Sequence, residues 1–148
     1  MSNPTLVVRT TNMIINSGVY VDVFSINLEA NKTYLIESVV LGQRVGGVSA
    51  HGTFQLVYSG SATTEFGFFV SANQLPDITI DATPSFDLEA NVITTNFTTT
   101  PANKYELRGY LRTTTAGTLT IRGARAAANT TVDLNVREGT YFLASPLN

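Results

Sequence analysis

Residues 104–122 read KYELRGYLRTTTAGTLTIR, and the spacing of their apolar side chains decides the fold class. Tyr105, Leu107 and Leu111 fall on one side of an extended chain, with Gly109 between them. Glu106, Arg108, Tyr110 and Arg112 fall on the other. Successive side chains of a strand point to opposite faces, so this alternation predicts a half-buried β-strand. The turn-like TTTAG follows, and Leu119 and Ile121 then alternate with Thr118 and Thr120. The segment therefore predicts an antiparallel hairpin. Pairing Leu111 with Leu119 sets Arg108 opposite Arg122, with Tyr110 and Arg112 on the same outward face.

The same period recurs along the chain, each run bounded by Gly, Asn, Pro or Ser. Phe24, Ile26 and Leu28 alternate with Ser25 and Asn27, and EANK turns the chain into TYLIESVVL, which predicts a second hairpin. Phe54, Leu56 and Tyr58 share a face, SGSATT turns, and Phe66, Phe68 and Val70 share the next, which predicts a third. Between Ser71 and Thr100, Pro76 and Pro84 interrupt the runs, so edge strands and loops are expected there. TVDLNV and TYFLASPL supply the last strands. No segment has a 3.6-residue apolar period, and ARAAAN is too short for a stable helix. The chain reads as all-β: a jelly-roll-like antiparallel β-sandwich of roughly nine or ten strands. Residues 1–148 are expected to form a single domain, with residues 1–16 an N-terminal arm or first strand.

Composition narrows the function. Only 14% of residues are charged, against about 25% in an ordinary globular chain, while Thr, Ser and Asn are plentiful. An uncharged polar surface suits contact with other proteins, because few charges need desolvating. A Thr-rich strand protein has the same composition. The net charge of −2 gives no general attraction to nucleic acid or to an anionic membrane, so neither is an expected partner. There is no cysteine, which excludes disulfides and thiolate chemistry. No signal peptide or membrane-spanning run precedes the strands, so synthesis as a soluble cytoplasmic product is expected.

The residues that could carry chemistry are few. His51 is the single histidine, and no GxSxG, HExxH or Gly-rich phosphate loop accompanies it, so a structural role is expected. Asp77, Asp81, Asp87 and Glu89 cluster in PDITIDATPSFDLE. Their spacing fits no calcium loop: on a strand Asp77 and Asp81 lie about 13 Å apart. They read as solvated edge charges that discourage aggregation. The triplets at Asn31, Asn96 and Asn129 match the glycosylation pattern by chance in so Thr- and Asn-rich a chain. No catalytic, metal or cofactor-binding residue is expected, and the chain is not expected to be an enzyme.

Arg108, Tyr110, Arg112 and Arg122 remain as candidates for a partner interface, since Arg and Tyr are favoured in contact hot spots. Opposed arginines either lean on Glu106 or meet an acidic or carbonyl-rich partner; an ordinary solvated face is the alternative. Tyr141, Phe142 and Leu143 in the closing strand are candidates for oligomer or core packing.

The C-terminal run YELRGYLRTTTAGTLTIRGARAAANTTVDLNVREGTYFLASPL resembles structural proteins of tailed bacteriophages. It carries a strand of the form LRGYLR, a turn containing AGT, a TLT strand, a loop of small residues and a closing GTYF followed by PL. Upstream, LEANKTYLIESVVL and HGTFQLVYSGSATTEFGFFV match the same pattern in order, so the resemblance runs from about Leu28 to Leu147. It implies a jelly roll or related sandwich of the kind found in capsid decoration (cement) proteins, head fibres and tail fibres, many of them trimeric. It brings no catalytic residues. A domain that begins and ends with the chain suits a decoration protein better than a fibre tip. The expectation is a homotrimer bound to the major capsid protein on the virion surface, with a receptor- or glycan-binding module of a tail fibre as the alternative.

Overall fold

A computed structural model describes residues 3–45, 50–63, 68–73, 81–83, 92–97, 103–125 and 133–147, with side chains described over 3–42, 54, 56–62, 106–124 and 135–147. Thirteen strands follow one another among the described residues: β1 (Thr5–Val8), β2 (Met13–Ile15), β3 (Val21–Leu28), β4 (Thr33–Val45), β5 (Ala50–Tyr58), β6 (Ala62–Thr63), β7 (Phe68–Asn73), β8 (Asp81–Thr83), β9 (Val92–Phe97), β10 (Asn103–Thr113), β11 (Gly117–Arg125), β12 (Asp133–Val136) and β13 (Tyr141–Pro146). All their pairings are antiparallel.

The strands divide into two sheets. The first runs β1-β13-β4-β10-β7-β8, with β2, β6 and β12 attached beside this path; the second runs β3-β11-β5-β9. Strands near the N-terminus pair with strands near the C-terminus in nested order: β1 with β13, β3 with β11, β4 with β10, β5 with β9. Successive members of this nest alternate between sheets, which is how a long hairpin rolls into a jelly roll. β8 and β9 end their respective sheets, as expected of the stretch between Ser71 and Thr100, whereas Ser71, Ala72 and Asn73 belong to β7, which lies between β10 and β8.

The nest overturns all three expected hairpins. β3 and β4, β5 and β7, and β10 and β11 each lie in different sheets. EANK, the segment 59–61 between β5 and β6, and TTTAG carry the chain across the thickness of the sandwich instead of back alongside itself. A period of two fixes which side of a strand is buried and leaves its neighbour open, so the same local signal serves a hairpin or an arch between sheets.

Where side chains are described, the inward faces are those the alternation predicts; Phe66 and the side chains of Phe68, Val70 and Tyr105 lie outside the described residues. Phe24, Ile26 and Leu28 of β3, Phe54, Leu56 and Tyr58 of β5, and Leu107 and Leu111 of β10 are all buried. They join Ile36 and Val40 of β4, Leu119 and Ile121 of β11 and Phe142 of β13 in one cluster drawn from both sheets. A fully buried Phe or Leu contributes roughly 1.5–3 kcal/mol relative to exposure, so this cluster is the main source of stability.

Buried hydroxyls tie the arches together at one end. Thr113 Oγ1 donates to the Glu29 carbonyl at 2.6 Å and accepts from the Lys32 amide at 3.1 Å, clasping the β3–β4 arch, where Asn31 adopts a left-handed φ of 56°. Tyr34 Oη accepts from the Glu29 amide at 3.0 Å. Tyr58 Oη donates to the Thr115 carbonyl at 2.7 Å, joining β5 to the β10–β11 arch. At the other border, a bulge opposite Ile121 and Arg122 makes Val23 the extra residue of β3, so Val23 and Phe24 are both buried. Arg9, just beyond β1, donates from Nη1 to the Val23 carbonyl at 3.3 Å and places its guanidinium 5.9 Å from the Phe24 ring centroid. It bridges the edge strand of one sheet to the edge strand of the other.

Candidate interaction surface

The outward side chains of the first sheet are set by register, because residues directly paired across antiparallel strands point the same way. Leu6 of β1 pairs with Leu143 of β13, which pairs with Glu37 of β4, which pairs with Arg108 of β10. The next row runs Val8, Tyr141, Val39, Glu106. A third brings Ser145, Leu35 and Tyr110 together. The alternate residues Phe142 and Ala144 point into the core.

This face is apolar at one border. Leu6 is 58% exposed and Val8 45%, and Tyr141 and Leu143 beside them are half-buried. Toward β10 the face becomes charged: Arg108 Nε lies 3.2 Å from Glu37 Oε1, with the arginine side chain 65% exposed and the glutamate 31%. A shallow depression of about 280 Å³ lies between β4, β10 and β13, with Glu37, Glu106, Arg108 and Tyr141 in its lining.

The outer face of the second sheet is built differently. Ser25 and Thr120 share a hydrogen bond of 3.0 Å, and Thr118 Oγ1 donates to Asn27 Oδ1 at 2.8 Å. Arg122 Nε is 3.2 Å from Asp22 Oδ1, an ion pair without the alignment of a hydrogen bond. On β3 and β11 the described groups of this face are polar and joined into pairs, with Val57 of β5 beside Thr120.

The candidate residues are therefore split. Arg108, Tyr110 and Arg112 share the outward face of β10, but Arg122 is on the opposite sheet. The expected Arg108–Arg122 opposition does not form; each arginine instead faces a carboxylate on an adjacent strand. Of the closing-strand candidates, Phe142 is buried completely, while Tyr141 and Leu143 lie on the outer face. Leu6, Val8, Leu35 and Val39 went unnoticed in the sequence. The signal for two of them was there: in TYLIESVVL both sides of the strand are largely apolar, the pattern of a strand covered on both faces.

Other motifs contribute little. The backbone of His51 pairs with Asn96, and its side chain lies outside the described residues. Asp81 is in β8, also without a described side chain, while Asp77, Asp87, Glu89 and Asn129 lie outside the described residues altogether. Among the described residues no three His, Cys, Asp or Glu side chains group to hold a metal, and no helix is long and apolar enough to cross a membrane.

Comparison with known proteins gives no match to a protein-family model, to a curated protein or to a solved structure.

Proposed function

We propose that this chain is a non-enzymatic virion structural protein: a homotrimer that decorates the head of a tailed bacteriophage. It binds the major capsid protein and stabilises the shell by bridging neighbouring subunits. Its mechanism is buried area and hydrogen bonding, with no bond made or broken.

The observation that carries this reading is the difference between the two outer faces. The second sheet presents paired polar groups along β3 and β11; the first exposes Leu6 and Val8 beside Tyr141 and Leu143. Contiguous exposed apolar side chains on a soluble domain mark sites of protein contact. Two further observations support it: the nested strand order is an architecture used by viral capsid domains, and the sequence resemblance spans about Leu28 to Leu147. Synthesis in the host cytoplasm precedes assembly onto the capsid surface.

Cosedimentation tests the reading. Purified chain is mixed separately with phage heads lacking it and with host cells. A decoration protein pellets with the heads and stays in solution with the cells.

A second reading, a receptor- or glycan-binding module of a tail fibre, draws on Tyr110 beside Arg108 on β10. Lectin domains share the architecture. Adherence to cells without binding to heads would favour it.

A further inference from the structure

β1 closes one border of the first sheet with four residues, Thr5–Val8, and among the described residues it pairs with β13 alone. It is lightly held. Val7 is half-buried against the core cluster, and Thr5, Leu6 and Val8 are exposed. The chain just beyond is fastened far more firmly. The Arg9 amide donates to the Thr140 carbonyl at 2.8 Å, and the Arg9 carbonyl accepts from the Gly139 amide at 2.9 Å. Asn12 Oδ1 accepts from the Glu138 amide at 3.0 Å, and Ile15 of β2 is buried in the core. The Arg9 side chain adds ties of its own: besides the Val23 carbonyl and the Phe24 ring on β3, Nη1 donates to Met13 Sδ at 3.4 Å and Nε to the Thr11 carbonyl at 3.3 Å. Between Arg9 and β2, Thr10 and Thr11 form an exposed bend. We propose that residues 3–9 are a strap that opens as a unit about this bend, with the Arg9 guanidinium as its latch, and that opening uncovers the edge of β13.

Local opening is easiest where few apolar contacts are lost and where the ladder broken belongs to one strand. β1 meets both conditions, since β13 keeps its pairing with β4 when β1 leaves. The latch is the strongest tie the strap has outside that ladder. Hydrogen bonds from a charged donor contribute more than neutral ones, and the guanidinium joins the strap to β2 and to the opposite sheet at once. What the strap covers gives it a purpose. β13 is apolar on both sides, with Phe142 and Ala144 turned inward and Tyr141 and Leu143 outward. An open edge of that kind recruits further strands, and native proteins cover such edges.

The test is native-state amide hydrogen exchange of the full chain and of Arg9→Ala, followed by NMR at several denaturant concentrations below the unfolding transition. In the wild type, the hydrogen-bonded amides of residues 5–9 and those of 141–144 that face β1 are expected to exchange together, faster than the amides of β4 and β10. Their rates should hardly respond to denaturant, because a local opening exposes little surface. Arg9→Ala is expected to speed this exchange about tenfold or more, the factor that a lost hydrogen bond from a charged group implies. Wild-type strap amides that exchange as slowly as those of β4, with the same denaturant dependence, overturn the strap: the border then opens only with the whole fold. Strap exchange unchanged in Arg9→Ala overturns the latch, whether or not global stability falls. Should Arg9→Ala fail to fold, Arg9→Lys, which keeps the charge and loses the planar fork, is read by the same criteria.

Discussion

Leu111 of β10 and Leu119 of β11, joined by one short turn, sit in opposite sheets and are both fully buried. They approach the core from its two sides instead of pairing as neighbours in one ladder. β10 instead pairs with β4 and β7, and β11 with β3 and β5. One consequence reaches the surface: Arg108 and Arg122 point away from each other on the two outer faces.

The last strand is built into this arrangement. β13 lies between β1 and β4, and Phe142 has no exposed surface. Phe142→Ala is expected to cost roughly 3–5 kcal/mol, read as a shift in the denaturant midpoint. Deleting residues 140–148 removes the ladder partner of β1 as well, and is expected to abolish folding. A truncated chain with a cooperative unfolding transition would show the strand to be dispensable.

The β10–β11 arch depends on two glycines in contact. A Cβ on Gly117 would lie 2.5 Å from the Gly60 backbone nitrogen, and one on Gly60 would lie 2.8 Å from Tyr58 Cε1. Backbone cannot yield as a flexible side chain can, so Gly117→Ala is expected to destabilise by about 1–3 kcal/mol through forced displacement. Thermal or chemical denaturation measures it.

How far the sequence could be read follows from what alternation encodes. Phe24, Ile26, Leu28, Phe54, Leu56, Tyr58, Leu107 and Leu111 announced their burial because period two reports side-chain direction directly. Strand partners were not legible, because pairing β1 with β13 or β4 with β10 depends on contacts far apart in the chain. The surface was half legible. Arg108 and Tyr110 were placed outward correctly, but the apolar strip required knowing that β1 and β13 are neighbours. Leu6 and Leu143 acquire a common face only through that pairing.

Arg108 and Glu37 form a partly exposed ion pair, and its contribution to stability is expected to be small. A double-mutant cycle with Arg108→Ala and Glu37→Ala should give a coupling of about 0.2–1 kcal/mol that shrinks with added salt.

Tyr58 sets a limit at high pH. Burial raises its phenol above the ordinary value of 10.0, and nearby Tyr34 adds to the shift. The folded state therefore holds this proton more tightly than the unfolded chain. Its contribution to stability is full below the unfolded value and is lost as pH rises through the folded one. Denaturant titrations at stepped alkaline pH should show stability falling above pH 10, and Tyr58→Phe should flatten that fall while losing the hydrogen bond to the Thr115 carbonyl.

We propose that this β-sandwich belongs to the outside of a phage head. Immunogold electron microscopy of the source virions, with antibody raised against the purified chain, tests it most directly. The expected result is label spread over the head. Label confined to the tail tip, or virions without label, would contradict it.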